Sequence, residues 1–296
     1  MESSSVCRMC GATRLKDVPF GYEFEATQLQ GRMCRSCGII FLDPQPTAAQ
    51  IRQMYSREYF EGDFRCGHEG GYFEEQTLVK LSSDGIIKEI QKVKSTGRLL
   101  EIGCAGGALL NSARAAGFDV QGVEMSVEAA AFARERFGLD VFVGDLLDAQ
   151  FASGHFDVVV MGDVIEHLPN PVAVITETAR VLSADGLLIV ACPTQTNTLF
   201  SRLGFFVYGL LGRRATVRMP PYHLFEYRPA SITRLMHQCG FSLVRLDAGT
   251  LSPQAVAQRG SFLQNIGKKA FQYPNRLLTT LSGQCGDRLT IFAQKT

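Results

Sequence analysis

The stretch that most constrains this chain is Arg98 to Gly107, RLLEIGCAGG. Leu99, Leu100 and Ile102 make the short apolar run of a strand buried in a parallel sheet. Glu101 stands at the strand end, and Gly103, Gly106 and Gly107 then allow a sharp turn close to a ligand. Ala108, Leu109, Leu110, Ala113 and Ala116 recur at helical spacing as far as Gly117, a natural stop. Strand, glycine turn and helix predict the first half of a βαβ nucleotide-binding unit. A dinucleotide fingerprint would need glycine at 103, 105 and 108, but Ala105 and Ala108 break it. Glu101 would also face a phosphate badly, whereas it suits a ligand carrying an amino group.

Downstream, apolar runs and helical patterns alternate with short connections, which predicts an α/β, Rossmann-like doubly wound sheet. Asp119 to Glu124 reads as a second strand ending in an acid about twenty residues after the glycine turn, the distance that brings a carboxylate to ribose hydroxyls. Ser126 reads as the N-cap of a helix over Val127 to Phe137. Val141 to Asp145 and Phe156 to Met161 are the next strands, followed by Val172 to Leu182 as helix and Leu187 to Ala191 as strand. Ser231 to Gln238 is a helix stopped by Gly240, and Phe241 to Leu246 and Arg288 to Ala293 are the closing strand pair.

The glycine turn resembles motif I of the class I S-adenosylmethionine-dependent methyltransferases, (E/D)-x-G-x-G-x-G, through Glu101, Gly103 and Gly107, with Ala105 in place of the middle glycine. Asp163-Val164-Ile165-Glu166-His167-Leu168-Pro169 resembles the segment after strand four in the ubiquinone-biosynthesis O-methyltransferase-like branch. The resemblance covers residues 98–195. It implies S-adenosylmethionine as cofactor and a sheet with a reversed last strand. It also implies Asp145 at the adenine amino group and Leu146 at the adenine face or by backbone contact. The expected cofactor-binding set is Glu101, Gly103, Ala105, Gly107, Glu124, Met125, Asp145, Leu146, Gly162, Asp163 and His167.

Cys7-x-x-Cys10 and Cys34-x-x-Cys37 form two knuckles, each followed by a glycine, Gly11 and Gly38. This spacing aims two thiolates per turn at one tetrahedral ion, and two knuckles favour metal over a redox pair or ordinary buried thiols. Cys7, Cys10, Cys34 and Cys37 are thus the expected ligands of a closed, structural zinc, with Cys66 and His68 as substitutes. The segment resembles the small zinc-binding domain preceding the methyltransferase domain in some sugar-modifying and gene-cluster enzymes. The expected organisation is a four-cysteine zinc module over 1–45, a helical cap or linker over 46–97, and the methyltransferase domain over 98–296 with an insertion at 194–228. In the linker, Ile51, Met54, Tyr55 and Tyr59 keep helical spacing, residues 59–62 and 70–73 read as a cap or simple packing, and Leu78 to Val93 as a helix.

At 296 residues and 46% hydrophobic composition the chain can bury a sizeable core, so disorder is not indicated. The N-terminal sequence lacks a secretory pattern and no apolar run approaches ~20 residues, which leads us to expect a cytoplasmic protein. The net charge of +1 hides an asymmetry: residues 198–234 carry six arginines against one acid, and residues 250–296 six Lys/Arg against one. A basic substrate side suits a phosphate-bearing acceptor, or it merely decorates exposed helices. The apolar run 203–211 is too short to span a bilayer and reads as a lid, a homodimer contact or a peripheral membrane element.

For a hydroxyl acceptor the general-base candidates are His223, assisted by Tyr222, and His167; a structural role for either histidine, or metal assistance through Glu166 and His167, is the alternative. The expected activity is methyl transfer to a small-molecule or glycan hydroxyl, on a sugar, nucleotide sugar, lipid-linked glycan or natural product. The competing readings are a zinc-module RNA methyltransferase and a non-catalytic scaffold of the same fold. Residues 1–60 hold seven Lys/Arg against six acids, which disfavours nucleic acid, and Pro220-Pro221-Tyr222 lies far from strand four, where base-directed enzymes carry such a triplet.

Overall fold

The computed structural model describes residues 4–54, 76–250, 273–281 and 285–296. The linker aromatics from Tyr55 to Phe73, together with Cys66 and His68, lie outside them.

The predicted glycine turn is preceded by helix α2 (Gln76–Gln91), itself after α1 (Ala48–Met54), and by strand β4 (Gly97–Ile102). There follow α3 (Ala108–Ala115), β5 (Phe118–Glu124), α4 (Val127–Phe137), β6 (Asp140–Val143), β7 (Phe156–Gly162), α5 (Pro171–Val181) and β8 (Leu182–Pro193). Helix α4 begins where Ser126 accepts from the Ala129 N–H and ends at Gly138 in the left-handed region, so its ends were written locally. Strand β8 starts five residues before the expected Leu187. Leu182 pairs with Phe156 and Leu187 with Val158, so the Ser183-Ala184-Asp185-Gly186 turn bulges out within one strand.

Beyond β8 come α6 (Leu199–Leu210), β9 (Ala215–Val217), β10 (Phe225–Glu226), α7 (Pro229–Gln238), β11 (Phe241–Gly249), a helix α8 over 273–281, and β12 (Arg288–Lys295). The seven-stranded sheet runs β11-β12-β8-β7-β4-β5-β6. Strands β4 to β8 pair in parallel, and β12 inserts antiparallel between β8 and β11, giving a Rossmann-like sheet with the expected reversed last strand. The order switches direction at β4, which opens a crevice at the carboxyl ends of β4 and β7. Leu99, Leu100, Val158, Val159, Leu188 and Ile189 are buried on its two faces, as near-continuous apolar strands require.

The cysteine segment builds a second sheet from β1 (Leu15–Phe24), β2 (Thr27–Cys34) and β3 (Ile40–Asp43). Its two edges come from far along the chain: β9 pairs parallel to β1, and β10 antiparallel to β3. Residues 194–228, read from sequence as an insertion at the substrate side, therefore also complete the N-terminal sheet. Phe205 stacks on Phe20 with ring centres 5.5 Å apart. Cys7, Cys34, Phe41, Phe225, Tyr227, Leu235 and Val190 belong to one continuous buried cluster, so the module shares its core with the larger sheet.

Candidate functional site

Between Ile102 and Ala108 the chain holds three residues in the left-handed region: Gly103 at φ 69°, Ala105 at 47° and Gly107 at 78°. A Cβ on Gly103 would stand 2.4 Å from Val164 Cγ2, and one on Gly107 2.4 Å from a Leu139 methyl, so glycine is required by space as well as by angle. Ala105 takes the strained angle with a side chain. Its N–H donates to Glu124 Oε2 at 2.8 Å, and the Ser126 N–H donates to Glu124 Oε1 at 2.8 Å. Glu124, at the end of β5, thus ties the glycine turn to its own strand end.

Glu101 is 8% exposed, and its Oε2 has no hydrogen-bond partner among the described residues. Burial first, then the neighbouring Glu124, push its carboxyl well above the ordinary carboxylate range. Two acids side by side, one of them unsatisfied, form a site that a cationic amine or a set of hydroxyls would complete. The Gly144 N–H donates to the Glu124 carbonyl at 2.9 Å, which sets the half-buried Asp145 next to the same strand end; Asp145 Oδ1 accepts from the Leu147 N–H. Leu146 is buried and Met125 exposed.

Val164, which crowds Gly103, belongs to the segment after β7, so the second cluster abuts the first. Gly162 ends β7, and Asp163 follows at φ 56°, its carboxylate paired with Arg288 at 2.8 Å. Arg288 had no signal in the sequence; it arrives because β12 sets it opposite Pro193. The Leu224 N–H donates to the Glu166 carbonyl at 2.8 Å and folds residues 220–226 back over the 3-10 turn Ile165–His167.

That return brings the two candidate histidines together, with ring centres 5.0 Å apart and edge-on. His167 Nδ1 donates to the Tyr222 carbonyl at 2.6 Å; a carbonyl only accepts, so this bond fixes the ring proton on Nδ1, while Nε2 faces Glu166. Tyr222 thus enters the cluster through its backbone oxygen. His223 Nδ1 faces Glu226 at 3.6 Å, a partner that the His223-x-x-Glu226 spacing could have suggested. Burial works against charge on His223, but Glu226, Glu166 and Asp163 outweigh it and raise its pKa.

Glu166 is 1% exposed, neither carboxylate oxygen has a hydrogen-bond partner among the described residues, and Oε1 lies 3.5 Å from His167 Nε2. Burial, then Asp163, push its carboxyl up to about 8. Ligand atoms of Glu166, His167 and His223 all lie within 4.8 Å of one another, as do the four thiols of Cys7, Cys10, Cys34 and Cys37. Sulfur distances of 3.7 Å for Cys7–Cys37 and Cys10–Cys34 are far too long for disulfides and suit soft ligands around one ion. The Ser36 N–H points at Cys34 Sγ, and Gly11 and Gly38 take φ of 72° and 79°. The cluster is compatible with a structural zinc.

A family model described as a methyltransferase domain matches residues 75–246. The ubiquinone biosynthesis O-methyltransferase of Aromatoleum aromaticum is 27% identical over 170 residues, which cover 53% of this chain and 68% of that one. Its counterpart from Thiobacillus denitrificans is 25% identical over 166 residues, covering 53% and 69%. Among solved structures, a SAM-dependent methyltransferase from Archaeoglobus fulgidus superposes with a TM-score of 0.52 at 18% identity, covering 74% of this chain and 94% of that one. A geranyl diphosphate methyltransferase in complex with SAM gives 0.51 at 16%, covering 81% and 95%. These two superpositions speak for the fold.

Proposed function

Because the chain belongs to the class I S-adenosylmethionine-dependent methyltransferases, we propose that it methylates a hydroxyl of a small organic acceptor at the crevice between β4 and β7. Bound S-adenosylmethionine supplies an activated methyl group on a sulfonium, so the protein's task is alignment and proton removal. Glu101, with its unsatisfied oxygen, receives the cofactor's ammonium group. Glu124 takes the ribose hydroxyls and Asp145 the adenine amine, with Leu146 and Met125 against the ring. Gly103, Ala105 and Gly107 let the backbone approach, and Gly162, Asp163 and His167 close the strand-end wall.

The observation that carries the reading is the convergence of His167 and His223 on the segment that touches the glycine turn. His167, its Nδ1 proton held by the Tyr222 carbonyl and its Nε2 beside Glu166, is the general base for the acceptor hydroxyl. His223, held near its carboxylate Glu226, keeps positive charge beside an acceptor alkoxide. A second reading rests on Glu166: a buried carboxylate with no donor among the described residues, facing two imidazoles, would hold a divalent cation that orients the acceptor oxygen.

An O-directed reaction agrees with the sequence relatives, which are named as ubiquinone biosynthesis O-methyltransferases. The basic segments 198–234 and 250–296 favour an acceptor bearing phosphate, such as a nucleotide sugar or lipid-linked glycan. The four cysteines hold one zinc that knits the N-terminal sheet. The test is calorimetry with S-adenosylmethionine and its demethylated product, followed by transfer of labelled methyl to a panel of phenols, sugars and nucleotide sugars. Binding without transfer to any hydroxyl, or transfer to RNA, would overturn the assignment.

A further inference from the structure

Three parts of the chain meet at the carboxyl end of β8: the 3-10 turn Gln195–Asn197, the first turn of α6, and the junction of β10 with α7. The Thr194 hydroxyl donates to the Tyr227 carbonyl at 2.5 Å, and the Thr196 N–H donates to Glu226 Oε2 at 3.3 Å. These bonds pin the junction against the turn.

Two arginines reach the turn from different elements. Arg228 Nη2 donates to the Thr196 carbonyl at 3.3 Å, and Arg202 Nη2 donates to Asn197 Oδ1 at 2.6 Å. Arg228 Nε is buried and has no hydrogen-bond partner among the described residues. The Thr196 hydroxyl, on a residue only 5% exposed, has none there either. Two unpaired donors on neighbouring buried groups cost stability until a ligand accepts from them.

Charge selects that ligand. Burial, then Arg202, pull the Arg228 guanidinium below its ordinary pKa, and the nearby Glu226 offsets them only in part. Glu226 also faces His223 at 3.6 Å, so one carboxylate serves an imidazole and two guanidiniums. A phosphoryl group offers several acceptor oxygens and two negative charges, which the planar arginine fork matches. Its place is on the acceptor side: Glu101 and Glu124 end β4 and β5, across β7 from β8, whereas Glu226 joins these arginines to His223.

The geometry points to Arg228, Arg202 and Thr196 as a subsite for a phosphoryl group carried by the acceptor, an inference that rests on the hydroxyl-methylation reading above. The experiment titrates inorganic phosphate into the full chain saturated with the demethylated cofactor. Phosphate should bind once per chain. Arg228→Gln should weaken it by roughly tenfold or more, and Arg202→Gln and Thr196→Val each by roughly threefold or more. Arg228→Lys keeps the charge without the fork and should recover only part of the loss. Arg213→Gln, at an exposed arginine beyond α6, should bind phosphate like the parent, and unchanged cofactor affinity reports that each variant is folded. Phosphate should also raise the KM of a nucleotide sugar acceptor and leave transfer to an uncharged phenol untouched. Loss in Arg213→Gln equal to that in Arg228→Gln marks a diffuse basic surface and would overturn the proposal. Binding that Arg228→Gln retains, or that competes with no acceptor, would do the same. No phosphate binding alongside transfer to phenols would remove the subsite alone. Phosphate binding with transfer to no hydroxyl would remove the reaction, and with it the acceptor's part in this subsite.

Discussion

His167 and Tyr222 stand 55 positions apart, yet the imidazole Nδ1 reaches the tyrosine carbonyl at 2.6 Å. One backbone oxygen therefore sets the tautomer of a histidine on a different element, whose other nitrogen faces Glu166 Oε1 at 3.5 Å. Replacing His167 by Ala should lower kcat by ~10²- to 10⁴-fold, the range of a general base. Affinity for the demethylated cofactor should stay within a few-fold. Parallel losses of both in steady-state kinetics and calorimetry would confine His167 to its place in the cofactor wall and remove it as the base.

Glu166 predicts a pH dependence whose sign is fixed by its raised pKa. Its carboxyl titrates at about 8 in the folded chain against an ordinary 4.5, so the folded state holds a proton that the unfolded state has released over that window. Its contribution is complete below the unfolded value and is lost as pH rises towards 8. Thermal melts of Glu166→Gln should show a flatter decline of Tm between pH 5 and 8 than the parent, and a higher Tm at pH 8. A divalent cation bound at Glu166 would reverse the order at pH 8, stabilising the parent but not the variant.

Ala105 occupies a left-handed angle, φ 47°, that costs an alanine about 1 kcal/mol. Ala105→Gly should raise stability by about 0.5 kcal/mol after the entropy of the added glycine is set against the relief. Urea midpoints measure this directly.

Gly103 is a steric requirement with a named obstacle. Gly103→Ala should weaken cofactor binding by at least tenfold, because the new methyl meets Val164 at 2.4 Å. The second change Val164→Ala removes that obstacle and should restore part of the affinity, leaving the cost of the backbone angle at φ 69°.

Cys34 is fully buried in the cluster that joins the N-terminal sheet to the main one. Cys34→Ser should abolish stoichiometric zinc in elemental analysis and lower Tm, with cofactor affinity falling as the shared core loosens.

The local grammar of the methyltransferase sheet was readable in the chain. Apolar runs such as Val158 to Val160 name buried strands, Ser126 and Gly138 mark helix ends, and Gly103 and Gly107 mark the turn from strand to helix, because each signal lies within a few residues of what it builds. The edges of the N-terminal sheet were not readable: β9 and β10 are three and two residues long, too short for a periodic pattern, and exist only by pairing with β1 and β3. Arg288 beside Asp163, and the two histidines in one cluster, are likewise products of chain return. Sequence by itself determined which elements form and where the glycine turn and its acids lie, since those depend on nearest neighbours. Only the tertiary structure decided which distant side chains meet, because contacts across 55 or 125 positions are set by strand order and core burial and leave no periodic trace.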